Sequence, residues 1–400
     1  MRGTGRNGFA RRAGCVLFVL ALAASGVSSR LYAANTAVSI GNGTQQPDGS
    51  YLKAQNIANN LTVTSITIQA TNNIDIVDDI NLATSPFGTP HFNLQLQVPT
   101  FSLNNNMNMN ALGSLFLTAN TINMTGKITS GASLINPSRV TSTATQMNVL
   151  ANTASIQQAI DLSSPTSPVT VQVSTGQYNE NVTINKSLTL ASGNPAGHVN
   201  NGQLRIGFSS ATATITGASF TNAFSGIIGG IGTLDVSGLT GSGFQNHGTV
   251  EPGLSPGILS FTGAYSQASD GDLAIEIGGT TAGSQYDRLA VSGSASLDGL
   301  LHASLINGFV PSPADSFTIL TASSRSGVFS NAPTTVAAGD GLFDVSYTPT
   351  SVVLGNFHPV PEPGGLALLS LCGTALLTRR RRELNGCSKG ICLIDSRRRY

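Results

Sequence analysis

The sequence has no tryptophan, few charged residues and no cysteine in its central part. Only 10% of its 400 residues are Asp, Glu, Lys or Arg, where about a quarter is usual. The four cysteines, Cys15, Cys372, Cys387 and Cys392, all lie outside residues 35–359. Disulfide bonds therefore cannot stabilise that central region, which has to be held together by burial and hydrogen bonding alone.

Positive charge is also scarce in the central region. Seven of the 20 Lys and Arg residues lie there, together with 16 of the 19 Asp and Glu residues. The total charge of +1 therefore hides a central region with a net charge of −9. Because phosphate backbones and anionic lipid headgroups are repelled by a surface of this sign, nucleic acid is not an expected partner.

Metal, phosphate and nucleophile motifs are missing as well. The five histidines are scattered, no serine sits in a Gly-x-Ser-x-Gly elbow, and no glycine-rich phosphate loop precedes a helix. Asp270 and Asp272 flank a glycine without the further oxygen ligands of a calcium loop, so a plain turn is expected there. Asp287 and Arg288 are expected to form a surface pair. The sequence predicts no metal ion, no cofactor and no catalytic residue.

The acidic residues nearest to an enzyme-like pattern are Asp75, Asp78 and Asp79. Glycan-cleaving β-helices need paired carboxylates, or aspartates holding calcium beside a basic residue. The cluster is superficially similar to that of polygalacturonases, but their Gly-His-Gly and Arg-x-Lys motifs are missing. Adjacent residues of a strand also face opposite ways. We therefore predict a solvated acidic turn, with catalysis as the alternative.

The apolar residues come in short alternating bursts bounded by Asn, Gly or Ser. A period of two is typical of half-buried strands, whereas helical periodicity is almost absent. The sequence therefore predicts an all-β protein. The clearest runs are residues 61–68, 74–76, 92–98, 115–117 and 122–124.

Two all-β architectures fit such runs, a sandwich and a solenoid. Recurrent strand groups separated by Asn- and Gly-rich turns favour a parallel β-helix, a solenoid in which each turn of chain stacks on the previous one. Stacked amides can satisfy both their donors and their acceptors. Side-chain ladders are therefore expected, although ordinary turn positions are the alternative. The candidates are Asn73, Asn104, Asn105, Asn106 and Asn120.

Residues 155–190 carry a first family resemblance. The apolar residues of 155–162 fall on one face of a short helix, three strands follow, and the pattern Gly-x-Tyr-x-Glu-x-Val spans residues 176–182. The stretch resembles the opening of right-handed parallel β-helix proteins of the pectin-lyase-like superfamily. The resemblance implies β-helix rungs over residues 151–240, and it implies no activity because that superfamily includes many non-enzymes.

Residues 241–329 carry a second resemblance, within a predicted domain of residues 241–355. A Pro-Gly turn at residues 252–257 is followed by a Tyr-Asp-x-Leu strand from Tyr286 and a Leu-x-Gly-x-Leu strand from Leu297. This order is similar to the β-helical passenger repeats of autotransporters, which implies further rungs. The alternating strand pattern of residues 61–131 is similar to that of filamentous-haemagglutinin strands, which implies a haemagglutinin-like β-strand region over residues 35–150.

Residues 1–34 have the three parts of a secretory signal peptide. An apolar run over residues 13–27 is preceded by basic residues and followed by small ones up to Ala34. Export with cleavage near that position is expected, and an uncleaved N-terminal anchor is the alternative. The basic residues are Arg2, Arg6, Arg11 and Arg12.

Residues 360–382 have three ordered parts near the other end of the chain. The apolar middle part, residues 364–378, reaches about 22 Å as a helix at about 1.5 Å per residue. It can therefore cross a membrane only if the bilayer thins or the arginines snorkel to the interface. The positive-inside rule places the arginines after it in the cytoplasm. The flanking residues are Val360, Pro361, Glu362 and Pro363 on one side and Arg379, Arg380, Arg381 and Arg382 on the other.

This order resembles the PEP-CTERM sorting signal of bacterial envelope proteins. The resemblance implies recognition of Pro361, Glu362 and Pro363 by a membrane-embedded exosortase, transient anchoring by the C-terminal helix, removal of the tail, and delivery to the cell surface or exopolysaccharide. Residues 383–400, a basic tail, depart from the pattern, because such signals usually finish within a few residues of the arginines.

The sequence therefore predicts an exported, non-catalytic protein of the cell surface or exopolysaccharide matrix. Its expected partner is an exopolysaccharide or envelope glycan, bound by a long polar face. A carbohydrate-active β-helix enzyme, either a polysaccharide lyase or a hydrolase, is the first alternative. An adhesin for a protein partner is the second.

Overall fold

The structure is a computed structural model, and the helix and strand bounds below come from it. It describes residues 29–32, 37–43, 51–61, 65–83, 85–87, 93–109, 114–129, 140–151, 153–165, 168–174, 180–192 and 197–360. Of the sorting signal, Val360 lies inside these ranges. Pro361, Glu362, Pro363 and the four arginines lie outside them, as do residues 383–400.

The first part of the chain contains short strands and two helices. They are β1 (Ser29–Tyr32), β2 (Ala37–Gly41), β3 (Tyr51–Lys53), α1 (Ala54–Asn60), β4 (Ile66–Gln69), β5 (Asn73–Ile76), β6 (Ile80–Asn81), β7 (Leu94–Gln97), β8 (Thr100–Leu103), β9 (Met107–Asn108), β10 (Leu115–Thr118), β11 (Thr121–Met124), β12 (Ile128–Thr129), β13 (Val140–Ser142), β14 (Gln146–Val149) and α2 (Ile156–Leu162).

The second part contains strands. They are β15 (Val169–Val173), β16 (Val182–Ile184), β17 (Leu188–Ser192), β18 (His198–Asn200), β19 (Gln203–Ile206), β20 (Thr212–Asn222), β21 (Ile227–Gly230), β22 (Thr233–Asp235), β23 (Leu239–Asn246), β24 (Thr249–Pro252), β25 (Ile258–Thr262), β26 (Tyr265–Ser266), β27 (Asp272–Ile277), β28 (Arg288–Val291), β29 (Ser294–Leu297), β30 (Leu300–Leu305), β31 (Ser316–Thr321), β32 (Ser324–Gly327), β33 (Thr335–Ala338), β34 (Gly341–Tyr347) and β35 (Ser351–Pro359).

Successive turns of the chain stack as parallel strands, so the predicted all-β parallel solenoid is confirmed. The long sheet runs β3-β2-β5-β8-β11-β14-β15-β17-β20-β22-β25-β28-β31. The side sheet is β1-β4-β7-β10-β13. A three-stranded sheet, β6-β9-β12, and a six-stranded sheet, β16-β19-β21-β24-β27-β30, form another side. Two shorter sheets consist of β18, the second half of β20 and β23, and of β26, β29 and β32. Cleavage after residue 34 would remove β1 from the side sheet.

The core follows from the period-two pattern. Inward side chains of neighbouring strands in the long sheet lie in register, and each is buried. Such burial stabilises the fold by roughly 1.5–3 kcal/mol for each large aliphatic or aromatic side chain. The row consists of Val38, Ile74, Phe101, Ile122, Met147, Val171, Leu190 and Ile215.

Helix α2 interrupts one side of the solenoid, where the sequence predicts a helix over residues 155–162. Ser155 is its N-cap and accepts a hydrogen bond from the Gln158 backbone N–H at 3.2 Å. The Glu180 carboxylate, from the predicted Gly-x-Tyr-x-Glu-x-Val pattern, accepts from the backbone N–H groups of Ile156 and Gln157 at 2.6 and 3.1 Å. An acidic group at this end satisfies free N–H groups and complements the helix dipole.

Two glutamines of α2 join it to the sheets on either side. The Gln158 side chain accepts from the Ile128 N–H at 2.9 Å and donates to the Ile128 carbonyl at 2.7 Å, as a neighbouring strand would. The Gln157 side chain makes the same pair with Thr183, at 2.6 and 3.3 Å. The helix thereby closes the edge of β12 on one side and the edge of β16 on the other.

The ends of the solenoid are closed in related ways. At one end, β31 pairs antiparallel with β35. The sheet then extends through two further antiparallel pairs, β35 with β34 and β34 with β33. The Asn331 side chain pairs with both backbone groups of Leu301 on β30, at 2.9 and 3.0 Å. At the other end, α1 buries Ile57 and Ala58 against the core. Closing strand edges in this way prevents edge-to-edge association.

Candidate functional site

The longest regular surface of the described chain is the outward face of the long sheet, from β5 to β22. We call it the polar face. Its side chains form two rows in register, and nearly all of them are partly exposed. The first row is Asn73, Thr100, Thr121, Gln146, Thr170, Thr189, Thr214 and Asp235, and the second is Asp75, Ser102, Asn123, Asn148, Gln172, Ala191 and Thr216.

Strand geometry sets the dimensions of this face. Neighbouring strands lie about 4.8 Å apart, so the first row extends for roughly 35 Å along the solenoid axis. Residues two apart on one strand point the same way, which places the two rows side by side. The polar face is thus a long, narrow array of hydroxyl and amide groups.

Amides in the middle of the polar face are fixed by hydrogen bonds to one another. Gln146 donates to the side-chain oxygen of Asn148 at 2.8 Å, and Asn148 donates to that of Asn123 at 2.7 Å. The charged members of the two rows, Asp75 and Asp235, lie at opposite ends. Such a surface offers donors and acceptors to a hydroxylated polymer, and it offers no cation to a polyanion.

The acidic residues singled out in the sequence do not converge on one cleft. Asp75 lies on the polar face and binds the Asn73 amide. Asp78 accepts from the Asn42 N–H at 2.7 Å, and Asp79 accepts from the Asn106 N–H at 2.8 Å. The two adjacent carboxylates lie between β5 and β6, outside any strand, and they bind the preceding and the following turn of the solenoid.

A second candidate surface is a groove of about 460 Å³ on the six-stranded sheet. Arg205 and Glu251 form an ion pair across Gly229, which lies between them in register. A Cβ on Gly229 would lie 3.2 Å from the Glu251 side chain, so glycine leaves room for the pair. Glu276 and Asp287 also line the groove. Paired carboxylates beside a basic residue are what glycan cleavage requires.

Asp287 corrects the expectation of a surface pair with Arg288. It is 2% exposed, and its carboxylate accepts from the backbone N–H groups of Gly257 and Glu276 at 2.6 and 2.8 Å. Burial, together with the smaller effect of the nearby Glu276 and Glu251 carboxylates, raises the pKa of Asp287 to about 7 against the lowering effect of these two hydrogen bonds. Asp287 therefore joins the Pro-Gly turn to β27, because it satisfies backbone donors of both.

A buried amide ladder lies elsewhere than predicted. Asn200 donates to Asn222 at 2.8 Å, and Asn222 donates to Asn246 at 2.7 Å. Gln267 continues the series on the next turn. The expected candidates instead bind locally or to backbone: Asn73 binds Asp75, Asn105 and Asn106 bind backbone groups of neighbouring turns, and Asn104 and Asn120 are exposed. The missed signal is an aromatic residue two positions before each amide, as in Phe220-x-Asn222, Phe244-x-Asn246 and Tyr265-x-Gln267.

Asp270 and Asp272 are each paired with a histidine of an adjacent turn. His247 and Asp270 are 2.7 Å apart, and His302 and Asp272 are also 2.7 Å apart. Within the described ranges, no three His, Cys, Asp or Glu residues are arranged to hold a metal ion. The same ranges contain no helix long and apolar enough to span a membrane, and the segment predicted to do so, residues 364–378, lies outside them.

No family model, curated protein or solved structure matches this chain.

Proposed function

We propose that this protein is an exported component of the cell surface or exopolysaccharide matrix that binds a glycan without cleaving it. The supporting observation is the polar face, which presents registered hydroxyl and amide rows along the solenoid axis. An extended polymer can lie along these rows and repeat the same contacts at successive strands. Solenoid proteins commonly bind along such extended surfaces.

A carbohydrate-active enzyme is the second candidate, and the groove on the six-stranded sheet favours it. Two observations weigh against catalysis there. Glu251 is neutralised by Arg205, and both carboxylate oxygens of Asp287 accept backbone hydrogen bonds. A general acid has to donate its proton to the substrate, whereas Asp287 is 2% exposed. A protein-binding adhesin is the third candidate.

For the route to the surface we propose sorting by an exosortase through Val360, Pro361, Glu362 and Pro363. Val360, which is 49% exposed, directly follows β35, so the motif begins just after the last strand of the described residues. Replacing the two prolines and Glu362 with alanine is expected to leave the protein unprocessed in the membrane fraction. Unchanged size and location of this variant among cell fractions would contradict the sorting proposal.

Glycan binding by the polar face is tested by Thr189→Arg. Thr189 lies mid-row between Thr170 and Thr214, and a long charged side chain there obstructs both neighbours. We expect the variant to lose about tenfold or more in affinity for a neutral polymer, as when direct contacts are lost. Ser296→Arg, at an exposed position of β29 outside the polar face, is the matched control and is expected to bind normally. Equal binding by both variants would contradict the assignment.

A further inference from the structure

The solenoid changes cross-section after β13. Among the described residues, the side sheet ends with this strand, while the long sheet continues from β14 to β15. The chain instead returns through Ser164, whose backbone N–H donates to the Ala144 carbonyl at 2.7 Å, and Pro165. Ser164 and Pro165 therefore bound the outer face of the side sheet on one side. A groove of about 580 Å³ lies between them and the outward side chains of β10 and β13.

Phe116 lies on the floor of this groove. It occupies an outward position of β10, in register with Gln95 on β7 and Thr141 on β13. Its side chain is 40% exposed. Outward positions of this sheet otherwise carry polar residues, as at Thr67. The aromatic ring is therefore presented to solvent on a polar surface.

The groove is uncharged. Its lining includes Gln95, Phe116, Thr118, Thr141, Ser164 and Pro165, and no charged side chain contributes to it. It also adjoins the polar face, because Thr118 ends β10 and Thr121 begins β11 in the long sheet. A polymer on the polar face can reach this groove around the corner between the two sheets.

We propose that this groove is a subsite for one pyranose ring of an uncharged glycan. The negative face of the Phe116 ring packs against the C–H face of the sugar, and Gln95, Thr118 and Thr141 hydrogen-bond to its hydroxyls. Small-molecule sites commonly combine hydrophobic or aromatic side chains with a few convergent polar groups, and Phe116 supplies the aromatic surface here. The inference rests on the proposed function, since the groove adds a stacking contact with one sugar ring to the binding of the same glycan along the polar face.

The test uses the full-length chain, with a neutral β-glucan and polygalacturonate as probes in affinity electrophoresis. Phe116→Ala is expected to weaken β-glucan binding about tenfold, and Phe116→Tyr to retain it, because the ring face is preserved. Phe208→Ala is the matched control, since Phe208 is 57% exposed in the loop between β19 and β20, and it is expected to bind like the wild type. Unchanged thermal unfolding of Phe116→Ala shows that the fold is intact.

The outcomes separate the subsite from the proposed function. Wild-type binding that Phe116→Ala leaves unchanged overturns the subsite and leaves the proposed function standing. If the wild type prefers polygalacturonate and this preference depends on Phe116, the proposal that the ligand is uncharged is wrong. Failure of the wild type to bind either polymer overturns the glycan-binding function itself.

Discussion

Replacing Gln158 with leucine is expected to lower the free energy of unfolding by about 3–5 kcal/mol. The Gln158 side chain is 2% exposed and satisfies both the N–H and the carbonyl of Ile128, which is fully buried. Leucine of similar size leaves both backbone groups without a partner. Each such group costs about 1–3 kcal/mol when water cannot reach it.

Gln157→Leu is the control for this prediction. Gln157 makes the same pair of hydrogen bonds, but its partner Thr183 is exposed, so water can replace the amide. We expect a loss below about 1 kcal/mol. Denaturant unfolding measures both variants, and hydrogen exchange at the Ile128 amide locates the effect. Equal losses, or unchanged exchange at Ile128 in Gln158→Leu, would contradict the edge-closing role.

Replacing Asn222 with aspartate is expected to cost about 3–5 kcal/mol at pH 7 although the two side chains have the same shape. Asn222 is fully buried, and its amide nitrogen donates to the side-chain oxygen of Asn246 and to the carbonyls of Gly226 and Thr249. An ionised carboxylate has no hydrogen to donate, so its oxygen would face the three acceptor oxygens that the amide nitrogen now binds. The buried charge is repelled and has lost its hydration.

The pH dependence of Asn222→Asp gives a second test. Burial raises the pKa of a carboxyl group, so the new side chain is expected to be neutral in the folded state at acidic pH. The folded state then binds a proton that the unfolded state releases as the pH rises above the ordinary aspartate range. The variant is therefore expected to be least stable at neutral pH and to regain stability as the pH falls toward 4.

Asn200→Asp is the matched control, because Asn200 lies at the half-exposed end of the same ladder. Its expected loss is smaller and varies little with pH, since water screens the charge. If the free energies of unfolding of the two variants depend on pH in the same way, the claim that Asn222 lies at a buried centre of the ladder is contradicted.

The strands could be predicted because each run encodes its own alternation. Leu94-x-Leu96 and Leu115-x-Leu117 place every second side chain inward, and the structure buries all four. Partners between turns could not be predicted in this way. Gln158 satisfies a residue 30 positions away, and nothing local in a glutamine of a short helix indicates that partner.

The candidate site was predictable as a kind of surface and less so as a set of residues. Threonines in alternating runs indicate a polar face, but register between turns depends on loop lengths that vary along the chain. Asparagine-rich turns predict ladders at Asn104, Asn105 and Asn106. The buried ladder of Asn222, Asn246 and Gln267 lies instead where an amide follows an aromatic residue by two positions. Asp287 next to Arg288 has the sequence pattern of a surface pair, and only its packing against the Pro-Gly turn shows its burial.

Incubating the full-length protein with neutral and uronate polymers, while measuring retained protein and newly formed reducing or unsaturated ends, tests the central claim most directly. We predict retention on a neutral glycan with no new chain ends. Release of new ends by the wild type, abolished by Glu276→Gln in the groove of the six-stranded sheet, would contradict the account and identify this protein as a carbohydrate-active enzyme.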